Sequence, residues 1–216
     1  MTKANEALPK KESNWAFRIT AAILAPIIRL LYNVKTTGVE NLPKGGYIIV
    51  GNHVSYLDPF AFAYSVYIHM KRVPHYLAKE SLFRIPIIGK ILPKVGQIPV
   101  YRAGKSNQEP LREAKKYLAA GQVMVIFPEG GIVDNKVRLS RFKNGLFRLA
   151  IEQNITIIPI TFADNHSIFP SSYTKGRPGK ARVFIHKGIK PQNKDVETLK
   201  QEVYNIIDQQ LFKYEN

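Results

Sequence analysis

Three residues in this chain could do acid-base chemistry, and each stands where an apolar run gives way to a turn. His53 and Asp58 lie in Gly51-Asn52-His53-Val54-Ser55-Tyr56-Leu57-Asp58-Pro59, directly after Tyr47-Ile48-Ile49-Val50. An imidazole whose one nitrogen is held by a carboxylate has a fixed tautomer, and its other nitrogen is free to take a proton from a hydroxyl. Asp58 followed by Pro59 also reads as a helix N-cap and first helical residue. On one continuous helix, residues five apart diverge by about 140°, so the pair meets only if the intervening residues turn. The same residues have a plainer reading, in which Asp58 only caps a helix and His53 is a satisfied turn residue. The third residue is Glu129, in Val123-Met124-Val125-Ile126-Phe127-Pro128-Glu129-Gly130-Gly131, again an apolar run ending in a turn.

His-x-x-x-x-Asp followed roughly 70 residues later by Phe-Pro-Glu-Gly resembles the glycerophospholipid acyltransferase family, in particular its bacterial 1-acyl-sn-glycerol-3-phosphate acyltransferases. The resemblance runs over 38–161, through Gly38-Val39-Glu40-Asn41-Leu42-Pro43, Ala78-Lys79-Glu80-Ser81-Leu82-Phe83, Ile98-Pro99-Val100-Tyr101-Arg102 and Ile158-Pro159-Ile160. It implies transfer of a fatty acyl group from a thioester, acyl-CoA or acyl-carrier-protein, to the sn-2 hydroxyl of 1-acylglycerol 3-phosphate, giving phosphatidic acid. His53 would be the general base, Asp58 its orienting acid, and Glu129 and Gly130 would help hold the acceptor. No cofactor beyond the acyl donor is implied, because a thioester carbonyl is already activated.

The chain departs from the family at one place. After Phe-Pro-Glu-Gly the family continues Thr-Arg-Ser, whereas here the residues are Gly131-Ile132-Val133, so the arginine aimed at the acceptor phosphate is missing. Arg102, Lys105 and Arg138 are the nearest cations in the motif-bearing segments and are candidate substitutes, Arg102 being equally readable as a surface cation. Phe142-Lys143-Asn144-Gly145 then matches the family's Phe-Lys-x-Gly element. Two alternatives stay open. The acceptor could be a lyso-aminolipid or another lysophospholipid, or the chain could be a catalytically silent membrane-binding relative, against which the intact His53 and Asp58 speak.

The elements that position these residues alternate. Strands are expected at 47–50, 75–78, 98–101, 123–127, 156–161 and 182–186, with helices near 60–70, 111–120, 146–153 and 196–212. The fold expected is a single α/β domain, a mixed and mostly parallel sheet flanked by helices. Ligands of such sheets gather outside the carboxyl ends of the strands, where both His53 and Glu129 fall. Residues 1–36 are expected to form an N-terminal membrane-associating helical segment and 37–216 the acyltransferase domain. The charge-free stretch 19–28 is 10 residues long, short of the roughly 18 that a bilayer requires. Arg18 and Arg29, with Lys11, Asn14 and Asn33, share one face, and Trp15, Ile19, Ile23 and Ile27 lie elsewhere, which reads as an amphipathic helix in the membrane interface kinked at Pro26.

Composition bounds the partners. Lys and Arg number 32 against 16 Asp and Glu, a net charge of +16, which favours an anionic partner, whether membrane lipid, phosphorylated substrate or nucleic acid. Cysteine is absent, which excludes disulfides, thiolate catalysis and cysteine-ligated zinc and fits the cytoplasmic face of the cell membrane, with peripheral or monotopic attachment. The five histidines have no metal-ligand spacing, so no metal is expected. Gly104-Lys105-Ser106 lacks the upstream glycine of a phosphate loop, no Gly-x-Ser-x-Gly elbow occurs, and the cations form no recognised nucleic-acid module.

Overall fold

The computed structural model describes residues 15–56, 58–70, 72–101, 108–133, 137–164 and 179–215. Arg102 and Lys105 therefore lie outside the described residues. The described strands are β1 (Tyr32–Thr37), β2 (Tyr47–Gly51), β3 (Pro74–Lys79), β4 (Ile98–Val100), β5 (Val123–Ile126), β6 (Ile157–Ala163) and β7 (Gly179–Ile185). They form one seven-stranded sheet in the order β1-β7-β6-β2-β5-β3-β4. The described helices are α1 (Trp15–Leu31), α2 (Asp58–Met70), the single turn α3 (Ile88–Ile91), α4 (Gln108–Ala119), α5 (Gly145–Glu152) and α6 (Val196–Glu215).

The central strands β2, β5 and β6 are buried along their whole length, which is why they read as uninterrupted apolar runs rather than alternating ones. Side chains alternate between two cores. Ile48, Val50 and Met124 point to one face, packed with Phe147, Leu199, Val203 and Ile207 of α5 and α6. Tyr47, Ile49 and Val125 point to the other, with Phe62 of α2 and Phe162. α1 lies on this second side, against β1, α2 and the turn Pro93–Val95.

Strand direction places the site. β6, β2, β5, β3 and β4 run parallel, so Gly51, Ile126, Ala163 and Lys79 all close the same end of the sheet. β7 runs antiparallel to β6, and β1 runs parallel to β7. β1 therefore begins, at Tyr32, at the end where β2 finishes. The expectation of helix through Asn33 is corrected here, since α1 stops at Leu31 and Asn33 pairs with Lys180 as part of β1. Pro26 lies inside α1. No strand was expected at 32–37, where polar and apolar residues alternate on a half-exposed edge.

Candidate active site

β2 leaves the sheet through a side chain. Asn52 is fully buried; its Nδ2 donates to the carbonyl of Phe162 at 3.0 Å, and its Oδ1 accepts from the Phe162 amide at 2.8 Å. This continues the β2–β6 ladder after the backbone has turned away. Gly51 is needed beside it, because a Cβ there would stand 2.9 Å from the Phe162 ring.

The turn that follows brings the first pair together. His53 Nδ1 lies 3.0 Å from Asp58 Oδ2. The same oxygen accepts from the amides of Val54 and Ser55, each at 2.8 Å. Asp58 is fully buried and is the first residue of α2, and its carboxylate both closes the turn that precedes the helix and orients the His53 ring. An oxygen that already accepts two amide bonds calls for a donor from the third direction, which places the proton on Nδ1 and leaves Nε2 basic. The His53 ring stacks on Phe127 with centroids 4.2 Å apart and planes 17° apart. Its side chain keeps 16% exposure, and Nε2 has no partner among the described residues.

Glu129 joins the two turns. Its Oε1 accepts the His53 amide at 2.8 Å, and its Oε2 accepts both the amide and the hydroxyl of Ser140, at 2.9 and 2.7 Å. The His53 carbonyl accepts from the Val133 amide at 2.8 Å. Both polar groups of the His53 main chain are thus held by the segment after β5. Burial pushes the Glu129 carboxyl above its usual range, opposed by the donors of Ser140 and His53.

Gly130 closes the turn with φ 78, its amide donating to the Phe127 carbonyl at 3.1 Å. That conformation favours glycine, and a Cβ there would fall 2.3 Å from Lys143 Nζ. The Lys143 ammonium lies over the Pro-Glu-Gly turn and has no acid partner among the described residues. Arg138, by contrast, is turned to α6, its Nε 2.8 Å from Asp208 and its guanidinium 5.3 Å from the Phe212 ring centroid. His53, Asp58, Glu129 and Gly130 are therefore gathered at one end of the sheet. Sequence reasoning missed Asn52, Phe127 and Ser140, whose partners lie far along the chain. Lys143 carried a signal in the Phe-Lys-x-Gly match.

A carboxylate-braced histidine whose other nitrogen has no partner among the described residues, at the carboxyl end of parallel strands, has the geometry that hydroxyl activation requires. No group of three or more potential metal ligands occurs among the described residues. The chain belongs to the acyltransferase family, whose match covers residues 33–163. The chain is 33% identical over 172 residues to a 1-acyl-sn-glycerol-3-phosphate acyltransferase of Chlamydomonas reinhardtii, covering 78% of this chain and 50% of that protein. It is 31% identical over 170 residues to the chloroplastic 1-acyl-sn-glycerol-3-phosphate acyltransferase of Arabidopsis thaliana, covering 76% of this chain and 46% of that protein. The chain spans about half the length of these curated relatives. The crystal structure of the 1-acyl-sn-glycerophosphate acyltransferase of Thermotoga maritima shares the fold, with TM-score 0.77 at 21% identity over 96% of this chain and 84% of that one.

Proposed function

We propose that this chain is a membrane-surface O-acyltransferase that moves a fatty acyl group from a thioester to the sn-2 hydroxyl of 1-acylglycerol 3-phosphate. The observation that carries the proposal is His53, held through Nδ1 by Asp58 and through its main chain by Glu129 and Val133, with Nε2 open. Nε2 takes the hydroxyl proton as the acceptor oxygen attacks the thioester carbonyl. The tetrahedral intermediate then expels the thiolate, and the imidazolium returns its proton to that sulfur. Asp58 stabilises the imidazolium in between, a base contribution of about 10²–10⁴ in rate. The acyl donor is acyl-CoA or acyl-carrier-protein.

Lys143 is the described cation best placed for the acceptor phosphate, standing in for the arginine that Ile132 replaces. Glu129 acts by positioning, since both of its oxygens already serve protein donors. Among the described residues no helix is long and apolar enough to cross a membrane. α1 carries Trp15, Ile19, Ile23 and Ile27 exposed at every fourth position, a stripe suited to the interface of an anionic bilayer at the cytoplasmic face.

Acyl transfer assayed with wild type and His53→Ala, on lysophosphatidate and on lyso-aminolipid acceptors, tests the reading. His53→Ala should lose most turnover while keeping its fold by circular dichroism. Retained turnover would overturn the mechanism, and wild-type preference for the phosphate-free acceptor would move the reading to the lyso-aminolipid acyltransferase.

A further inference from the structure

The connection from β3 to β4 exposes apolar side chains that a soluble surface has no reason to carry. Leu82, Ile85, Ile87, Ile88 and Ile91 are all exposed within ten residues, Ile87 at 74%. Isolated exposed apolar residues are ordinary, but a contiguous group of branched aliphatics marks a surface with a partner. The charges around it indicate which kind. From Ser81 to Gln108 the sequence has no Asp or Glu, while Arg84, Lys90, Lys94, Arg102 and Lys105 fall in the same span. Lys90 and Lys94 have no acid partner among the described residues.

Topology places this segment beside the site. It leaves β3 at Lys79, at the end of the sheet where β2 delivers His53 and β5 delivers Glu129. The α1–β1 junction at Leu31 and Tyr32 lies at that same end, on the opposite edge. At 1.5 Å per residue α1 is about 25 Å long, and at 4.8 Å per strand the sheet is about 29 Å across. α1 can therefore reach from β1 to the Pro93–Val95 turn, and its contacts with both are consistent with that.

We infer that 82–91 is a second membrane-docking element, inserting Ile85, Ile87, Ile88 and Ile91 into the acyl region of an anionic bilayer while Lys90 and Lys94 meet its headgroups. A second copy of this chain fits the patch less well, because two chains of net charge +16 repel. The idea rests on the acyltransferase reading only for its consequence, that the lipid acceptor reaches His53 from the leaflet, and not for the docking itself.

The full chain carrying Ile87→Glu and Ile88→Glu is compared with wild type by sedimentation with phosphatidylcholine vesicles that contain phosphatidylglycerol. Burying one aliphatic side chain changes partitioning by about 10- to 150-fold, so the double variant should bind at least tenfold more weakly. Its turnover of a short-chain, water-soluble lysophosphatidate should stay near wild type, which separates failed docking from failed chemistry. Independently, Ile87→Trp in a Trp15→Phe background should give blue-shifted emission on vesicles that brominated acyl chains quench. Wild-type binding of the double variant, or unquenched emission, would overturn the inference. So would a loss of self-association with vesicle binding unchanged, which would assign the patch to a second copy.

Discussion

Glu129→Gln separates positioning from acceptor binding. The wild-type carboxylate serves three donors with two oxygens, the His53 amide on Oε1 and the Ser140 amide and hydroxyl on Oε2. Glutamine offers one carbonyl oxygen. If that oxygen faces Ser140, the side-chain NH₂ confronts the His53 amide, donor against donor. If the amide is reversed, the Ser140 hydroxyl can turn and accept, but the Ser140 amide loses its acceptor. Either way one partly buried N–H is left unmatched, at about 1–3 kcal/mol, and the remaining bonds lose their charge assistance. The expected stability loss is about 1–3 kcal/mol. When the His53 amide is the group released, the imidazole is displaced, and a misplacement near 1 Å can cost about 10² in rate. Kinetics with varied lysophosphatidate should then show kcat falling by about tenfold to a hundredfold with the acceptor KM little changed, alongside a lowered melting temperature. A raised acceptor KM with kcat and melting temperature intact would refute the positioning argument and restore a direct acceptor contact for Glu129.

Asp58→Asn removes the charge that supports the imidazolium and weakens three converging bonds, so kcat should drop by about 10²–10⁴ with vesicle binding retained; a near-normal kcat would show that Asp58 serves only to close the turn before α2. Lys143→Ala should cut kcat/KM for lysophosphatidate by about 10- to 150-fold, the worth of a charge-assisted phosphate contact, and spare a phosphate-free acceptor. Arg138→Ala should change little because its guanidinium already pairs with Asp208; equal Lys143→Ala losses on both acceptors would make Lys143 structural. Burial, and then the charge of Lys213, push His186 from 6.5 down to about 4, while its Nε2 meets Thr161 Oγ1 at 2.8 Å. As pH falls through that window the unfolded chain binds a proton that the folded chain refuses, so stability declines and levels off below about 4. After allowance for partial solvation the loss is about 2 kcal/mol, and it should shrink in His186→Gln when denaturant unfolding is followed between about pH 7 and about pH 4.

Much of this architecture could be read from the chain, for identifiable reasons. The strands expected at 47–50, 123–127 and 156–161 lie within about two residues of β2, β5 and β6, because strands buried on both faces are apolar throughout. β1 was not anticipated, since an edge strand such as Tyr32-Asn33-Val34-Lys35-Thr36-Thr37 owes its pairing to Gly179–Ile185, far along the chain. The stretch 80–95 was missed for the opposite reason. Its isoleucines have the composition of a core, and sequence periodicity cannot say that they remain in solvent. In the site, the spacing of His53 and Asp58 raised the pairing that the structure shows but not how the turn closes, which depends on Asp58 drawing the Val54 and Ser55 amides onto one oxygen. The grip of Glu129 on the His53 amide spans 76 residues and leaves no local trace.

The side-chain rung at Asn52 bears on motion as well as on pairing. Loops at the ends of strands ordinarily move on nanosecond to microsecond timescales, and a base carried on one must be recaptured at each turnover. Here the last paired group of β2 is one residue before His53, and Glu129 and Val133 hold the next peptide from the other side. The backbone at His53 is therefore expected to move with the central sheet, and its amide order parameter, measured by NMR relaxation, should approach the rigid limit of about 0.85. If His53 is the base proposed above, it is in place before either substrate arrives, and the motion that turnover requires falls to the substrates.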